Sequence, residues 1–116
     1  GYFQVKETIL LIEDEKLMRV TIEDALRAAG YEVVSFETGT EALSSLKSSP
    51  ADVVVTDVRL PDIDGINILK EITRMNDAQV IVMTAFGTIK DAVKAMRLGA
   101  FDYITKPFSL DEFLLL

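Results

Sequence analysis

Carboxylates stand at two places where apolar runs end in this chain. Glu13, Asp14 and Glu15 follow the run TILLI at 8–12, and Asp57 ends the run VVVTD at 53–57. Thr84 follows QVIVM, and Lys106 follows FDYIT with Pro107 behind it. The chain contains no Cys and no His, which excludes disulfides, thiol nucleophiles, imidazole bases and zinc sites built on those ligands. What remains is hard-oxygen chemistry: carboxylates, hydroxyls, an ammonium and a metal such as Mg²⁺. Carboxylates brought together repel one another, and a divalent cation or a nearby ammonium relieves the repulsion. A phosphoryl oxygen bridging Mg²⁺ and Lys106, with the Thr84 hydroxyl donating to it, would make a phosphoryl-transfer site. That reaction needs positioning and charge neutralisation and little else from a protein. An Asp carboxylate supplies the nucleophile when an aspartyl-phosphate forms. Taken singly, each residue has a plainer reading. Asp57 suits a turn or cap, Glu13 and Asp14 suit a helix N-terminus, Thr84 suits a half-buried strand, and Lys106 suits a solvated surface.

These residues become a site only if the fold brings four strand ends to one edge. The β-rich runs TILLIE (8–13), YEVVSF (31–36), DVVVTD (52–57), QVIVMTA (79–85) and FDYIT (101–105) predict five strands. Between them, helices are predicted over 15–29, 40–47, 66–74 and 88–98. The first places Leu17, Met18, Ile22, Ala25, Leu26 and Ala29 at helical intervals and stops at Gly30. The second puts Ala42, Leu43 and Leu46 on one face, and the third Ile66, Leu69 and Ile72. In the fourth, Ile89, Val93 and Met96 read as core packing ahead of the alternative, a partner surface, and Gly99 ends it. Ser109 and Glu112 form a capping box for a final helix cut short by the chain end. Strand and helix alternate throughout, so the fold class is α/β: a doubly wound parallel sheet covered on both faces. In such sheets ligands bind outside the carboxyl ends of the strands. The second strand leads into SFETG, which offers no comparable chemistry and suits an outer edge. Asp62 and Asp64 read as turn residues before Gly65.

The 116 residues fit one domain over 1–116, with 49% hydrophobic and 27% charged residues. The net charge of −7 argues against gripping nucleic-acid phosphates, which takes clustered Lys and Arg. No apolar run approaches a membrane span and no signal peptide is visible, so a cytoplasmic location is expected. The opening GYFQ reads as an appended remnant, and SLDEFLLL at the other end reads as an excised piece of a longer chain.

The motifs ILLIEDE (9–15), VVVTDVRLPDIDG (53–65), VIVMTAFG (80–87) and GAFDYITKPF (99–108) together resemble the receiver domain of bacterial two-component response regulators. The resemblance covers essentially the whole chain. It implies a five-stranded sheet in the order 2-1-3-4-5, and it implies that Asp57 accepts a phosphoryl group from a histidine of a sensor kinase. Glu13 and Asp14 match the acidic pair that binds Mg²⁺, with Asp57 and the backbone carbonyl of Arg59 completing the ligands. Glu13 stands where the commonest pattern has Asp, and its extra methylene leaves direct and water-mediated contact both open. Thr84 matches the switch hydroxyl, Lys106 the lysine that pairs with the phosphoryl group, and Tyr103 the switch aromatic. The Lys106–Pro107 bond is expected to be cis.

Residues 84–108 look most like nitrogen-control regulators, which join a receiver to an AAA+ ATPase and a DNA-binding domain. Phosphorylation is then expected to reshape the face of the fourth helix, fifth strand and fifth helix, which family homodimers often use. The domain would catalyse its own phosphorylation without being an enzyme in the usual sense. Phe86, two residues past Thr84, stands where water would approach an acyl phosphate and predicts slow dephosphorylation. The rival readings are a phosphorylation-independent interaction module, a stand-alone receiver, a flavodoxin-type cofactor binder and a phosphatase. The acidic EDEKLMR after the first strand has no glycine to cradle a phosphate, against the flavodoxin reading.

Overall fold

Val53, Val54 and Val55 are β-branched and apolar on both sides of a strand, which suits the middle of a sheet rather than its rim. The computed structural model describes residues 7–57, 62, 65–75, 78–84, 96, 97, 99 and 102–105. Its elements run β1 (Thr8–Ile12), α1 (Lys16–Ala28), β2 (Glu32–Phe36), α2 (Gly39–Ser48), β3 (Val53–Asp57), α3 (Gly65–Met75), β4 (Gln79–Thr84) and β5 (Asp102–Thr105). The five strands are parallel in the order β2-β1-β3-β4-β5. β3 lies at the centre and β2 at an edge.

Side chains alternate across each strand, so neighbouring residues feed two separate cores. On one face Leu10, Ile12, Val54, Val80 and Val82 pack with Ala42 and Leu46 of α2 and Ile68, Leu69 and Ile72 of α3. On the other, Ile9, Leu11, Val33, Val55, Ile81 and Met83 pack with Ile22 and Leu26 of α1. The result is a three-layer sandwich. Each fully buried aliphatic side chain contributes roughly 1.5–3 kcal/mol relative to exposure.

Helix ends follow local chemistry. After α1, Gly30 has φ +99°; its N–H donates to Arg27 O at 3.0 Å, and that of Tyr31 to Leu26 O at 3.1 Å. This paired closure needs a residue in the left-handed region, which glycine enters at little cost. At the start of α2, the Thr38 hydroxyl accepts the Glu41 N–H at 3.3 Å, an N-cap that fills one orphan donor.

The structure departs from the sequence reading in detail. Leu17, expected on the inner stripe of α1, is 74% exposed, because the buried stripe runs through Ile22 and Leu26. Ile68, absent from the expected stripe of α3, is fully buried. Met96, expected in the core, is 44% exposed. Of the predicted fourth helix, Met96 and Arg97 are described and helical; Ile89 and Val93 lie outside the described residues. Gly99 follows with φ +101° and an N–H donated to Met96 O at 3.2 Å. The predicted final helix, Asp64 and the opening GYFQ also lie outside the described residues.

Candidate functional site

Parallel register brings the strand ends level. Ile12, the last residue of β1, stands opposite Thr56 in β3 and Phe36 in β2. Glu13 therefore emerges beside Asp57, and its N–H donates to Phe36 O at 3.0 Å, which extends the ladder one step past the strand. Asp57 in turn stands opposite Met83, and Thr84 is the next residue of β4, opposite Thr105.

Glu13 is fully buried and Asp57 is 6% exposed, whereas Asp14 is exposed. One carboxylate oxygen from each of the three lies within 4.8 Å of the others. At that spacing charged carboxylates repel one another, and a bound cation relieves the repulsion. A Glu13 carboxylate oxygen accepts the Glu15 N–H at 3.1 Å, serving the start of α1, where Glu15 makes no side-chain cap of its own. The plainer reading of Glu13 as a helix-start residue thus holds alongside its place in the cluster. Below Asp57, the buried Thr56 hydroxyl donates to Asp57 O at 3.0 Å.

The donor set suits a hard cation: it is all carboxylate oxygen, two members are buried among apolar strands, and the exposed third opens on solvent. Mg²⁺ takes a few carboxylates and keeps several waters, which matches a cluster at a surface. Glu13, Asp14 and Asp57 would hold it.

Two further side chains, Arg19 and Asp62, make cross-links that the sequence did not single out. The Arg19 guanidinium donates to Glu13 O at 3.0 Å and lies 3.5 Å from Asp14 O and 3.4 Å from a Glu37 carboxylate oxygen. Asp62, expected to serve its own turn, bonds its own backbone N–H and also reaches across to α2. Its carboxylate accepts the N–H of Gly39 at 3.0 Å and of Thr40 at 2.8 Å, together with the Thr40 hydroxyl. The Thr40 hydroxyl, helped by the two N–H groups, holds the Asp62 carboxyl down at about 2, against an ordinary 3.8. The signal for Arg19 was present in the sequence, since a cation at 19 precedes Ile22 and Leu26 on the same helical stripe. Nothing local marked Asp62.

Of the other expected site residues, Thr84 closes β4 and Tyr103 lies in β5 opposite Val82. Arg59, Phe86, Lys106 and Pro107 lie outside the described residues.

The family model for the response regulator receiver domain matches residues 9–116. The chain belongs to that family. This receiver domain is 40% identical over 105 residues to the DNA-binding transcriptional regulator NtrC of Salmonella typhimurium, covering 90% of this chain and 22% of that protein. It is 38% identical over 109 residues to the probable transcriptional regulator ycf27 of Guillardia theta, covering 94% of this chain and 43% of that protein. The chain thus spans less than half the length of these relatives. Among solved structures, a response regulator receiver domain protein from Clostridium thermocellum superposes with a TM-score of 0.87 at 33% identity, over 94% of this chain and 89% of that one. NtrX from Brucella abortus superposes with a TM-score of 0.89 at 30% identity, over 96% of this chain and 25% of that one. Among the described residues no helix is long and apolar enough to cross a membrane.

Proposed function

We propose that this receiver domain is a phosphorylation switch in which Asp57 is the phosphoryl acceptor. The observation that carries the reading is the convergence of Glu13, Asp14 and Asp57 within 4.8 Å at the carboxyl edge of the sheet. An Asp57 carboxylate oxygen attacks the phosphorus of a phosphohistidine on a sensor kinase. The phosphorus–nitrogen bond breaks, the pair returns to the imidazole, and an acyl phosphate remains on Asp57. Mg²⁺ supplies charge neutralisation there when bound. Glu13, Asp14 and Asp57, with the Arg59 carbonyl, would hold it, and Lys106 pairs with the transferred group. Thr84 then draws toward the phosphoryl oxygens and Tyr103 follows inward, converting a local charge event into a new surface at the fourth helix and fifth strand. Phe86 shields the acyl phosphate from water and keeps its hydrolysis slow.

The output is transcriptional control in the cytoplasm, through an AAA+ ATPase and a DNA-binding domain on the longer chain. The likeness to NtrC, a DNA-binding transcriptional regulator, supports transcriptional control through a DNA-binding domain, and the ycf27 relatives support transcription regulation. The resemblance of residues 84–108 to nitrogen-control regulators carries the AAA+ ATPase. Intact mass after incubation with Mg²⁺ and a small acyl phosphate tests the chemistry. The expected result is one added phosphoryl group, abolished by Asp57→Ala and by chelation. A folded protein that takes up no phosphoryl group from either an acyl phosphate or a phosphorylated kinase would favour the interaction-module reading.

A further inference from the structure

We propose that Arg19 is a positioning residue for the acidic pair, holding the backbone carbonyls of Glu13 and Asp14 so that their carboxylates stand correctly beside Asp57. The proposal rests on the reading of this cluster as a Mg²⁺ site. Arg19 precedes Ile22 and Leu26 on α1 by three and seven residues, which places it on the stripe that faces the sheet. Its side chain is only 11% exposed. A guanidinium so enclosed requires acceptors, since an unpaired buried charge is costly.

The acceptors it finds belong to the segment that carries the candidate ligands. Glu13 O accepts at 3.0 Å, Asp14 O lies at 3.5 Å, and Glu37 Oε1 lies at 3.4 Å. Glu13 and Asp14 occupy the short link between the end of β1 at Ile12 and the start of α1 at Lys16. Glu13 is thereby held at its N–H by Phe36, at its carbonyl by Arg19 and at its carboxylate by Glu15. Glu37, just past β2, braces the guanidinium from the neighbouring loop. The planar fork of arginine reaches these separate acceptors at once, which a single lysine ammonium does not.

Charge and geometry make opposite predictions here, which makes the idea testable. A nearby cation by itself repels Mg²⁺, so removing its charge without consequence for geometry would tighten metal binding. Loss of positioning weakens it, typically by 10–100-fold when a residue supporting metal ligands is removed. The experiment is calorimetric titration of Mg²⁺ into the wild type, Arg19→Met and Arg19→Lys, with metal-free melting curves for each. Both variants are expected to bind Mg²⁺ at least about tenfold more weakly, Arg19→Lys doing so although it keeps the charge. Unchanged or tighter binding in a folded variant would overturn the proposal, even with a lowered melting temperature, because it would assign Arg19 a purely structural or electrostatic role. If Arg19→Met does not fold, Arg19→Lys decides by the same criterion. A wild type that binds no Mg²⁺ would instead remove the reading on which the proposal rests, and the proposal with it.

Discussion

At the scale of single residues, the site brings three carboxylates close enough to repel one another when charged. Glu13 is buried and Asp57 nearly so, and both lie within 4.8 Å of the Asp14 carboxylate. Asp57→Asn keeps the shape and removes one charge, so in metal-free buffer it should raise the melting temperature. A gain of about 1 kcal/mol, a shift of some 4–8 °C for a domain near this size, is the expected scale in thermal denaturation. Glu13→Gln should act differently. It retains an oxygen to accept the Glu15 N–H and loses the charge, so Mg²⁺ affinity should fall at least about tenfold in calorimetry while the helix start survives. The carboxylates themselves were legible in the sequence, because each follows a recognisable strand. Arg19 was not singled out, because its importance lies in backbone carbonyls, which every residue has.

At the scale of elements, the ends of helices and strands are tied to each other by side chains from distant loops. Asp62 binds the first turn of α2, and Thr38 caps the same helix from its own side. Arg19 joins the loop after β1 to the loop after β2. Asp62→Ala should therefore destabilise the domain by about 0.5–2 kcal/mol, the range of a lost N-cap. The pH dependence has a definite sign. The Asp62 carboxyl lies near 2 when folded and at an ordinary 3.8 when unfolded, so folding favours the charged form. Its contribution is complete above about pH 4 and is lost as pH falls through about 2. Chemical denaturation of wild type and Asp62→Ala should accordingly differ near neutrality and converge as pH approaches 2. The helices were legible from apolar spacing and glycine stops; the phase of α1 was less so. Leu17 and Met18 are adjacent apolar residues, and spacing alone does not say that Leu17 faces solvent while Met18 packs against the core.

At the scale of the whole molecule, the proposed metal binding would be coupled to folding, because strands far apart in sequence build the acidic cluster. An unfolded chain keeps the carboxylates but not their proximity, so Mg²⁺ should stabilise the fold. At a hundred times its dissociation constant the gain is about 2.7 kcal/mol, read as a rise in melting temperature that chelation reverses and Asp57→Ala reduces. The sequence by itself determined the alternation of strand and helix, the parallel sheet, and the place of Glu13, Asp57 and Thr84 at strand ends on one edge. Apolar periodicity encodes burial, and parallel strands all end on the same side. Tertiary structure alone decided which loops became neighbours. With β1 between β2 and β3, Glu37 comes beside Arg19 and Asp62 beside Gly39, contacts that depend on strand order and not on any local pattern. Burial tells a residue to leave water; it does not say which partner it will meet there.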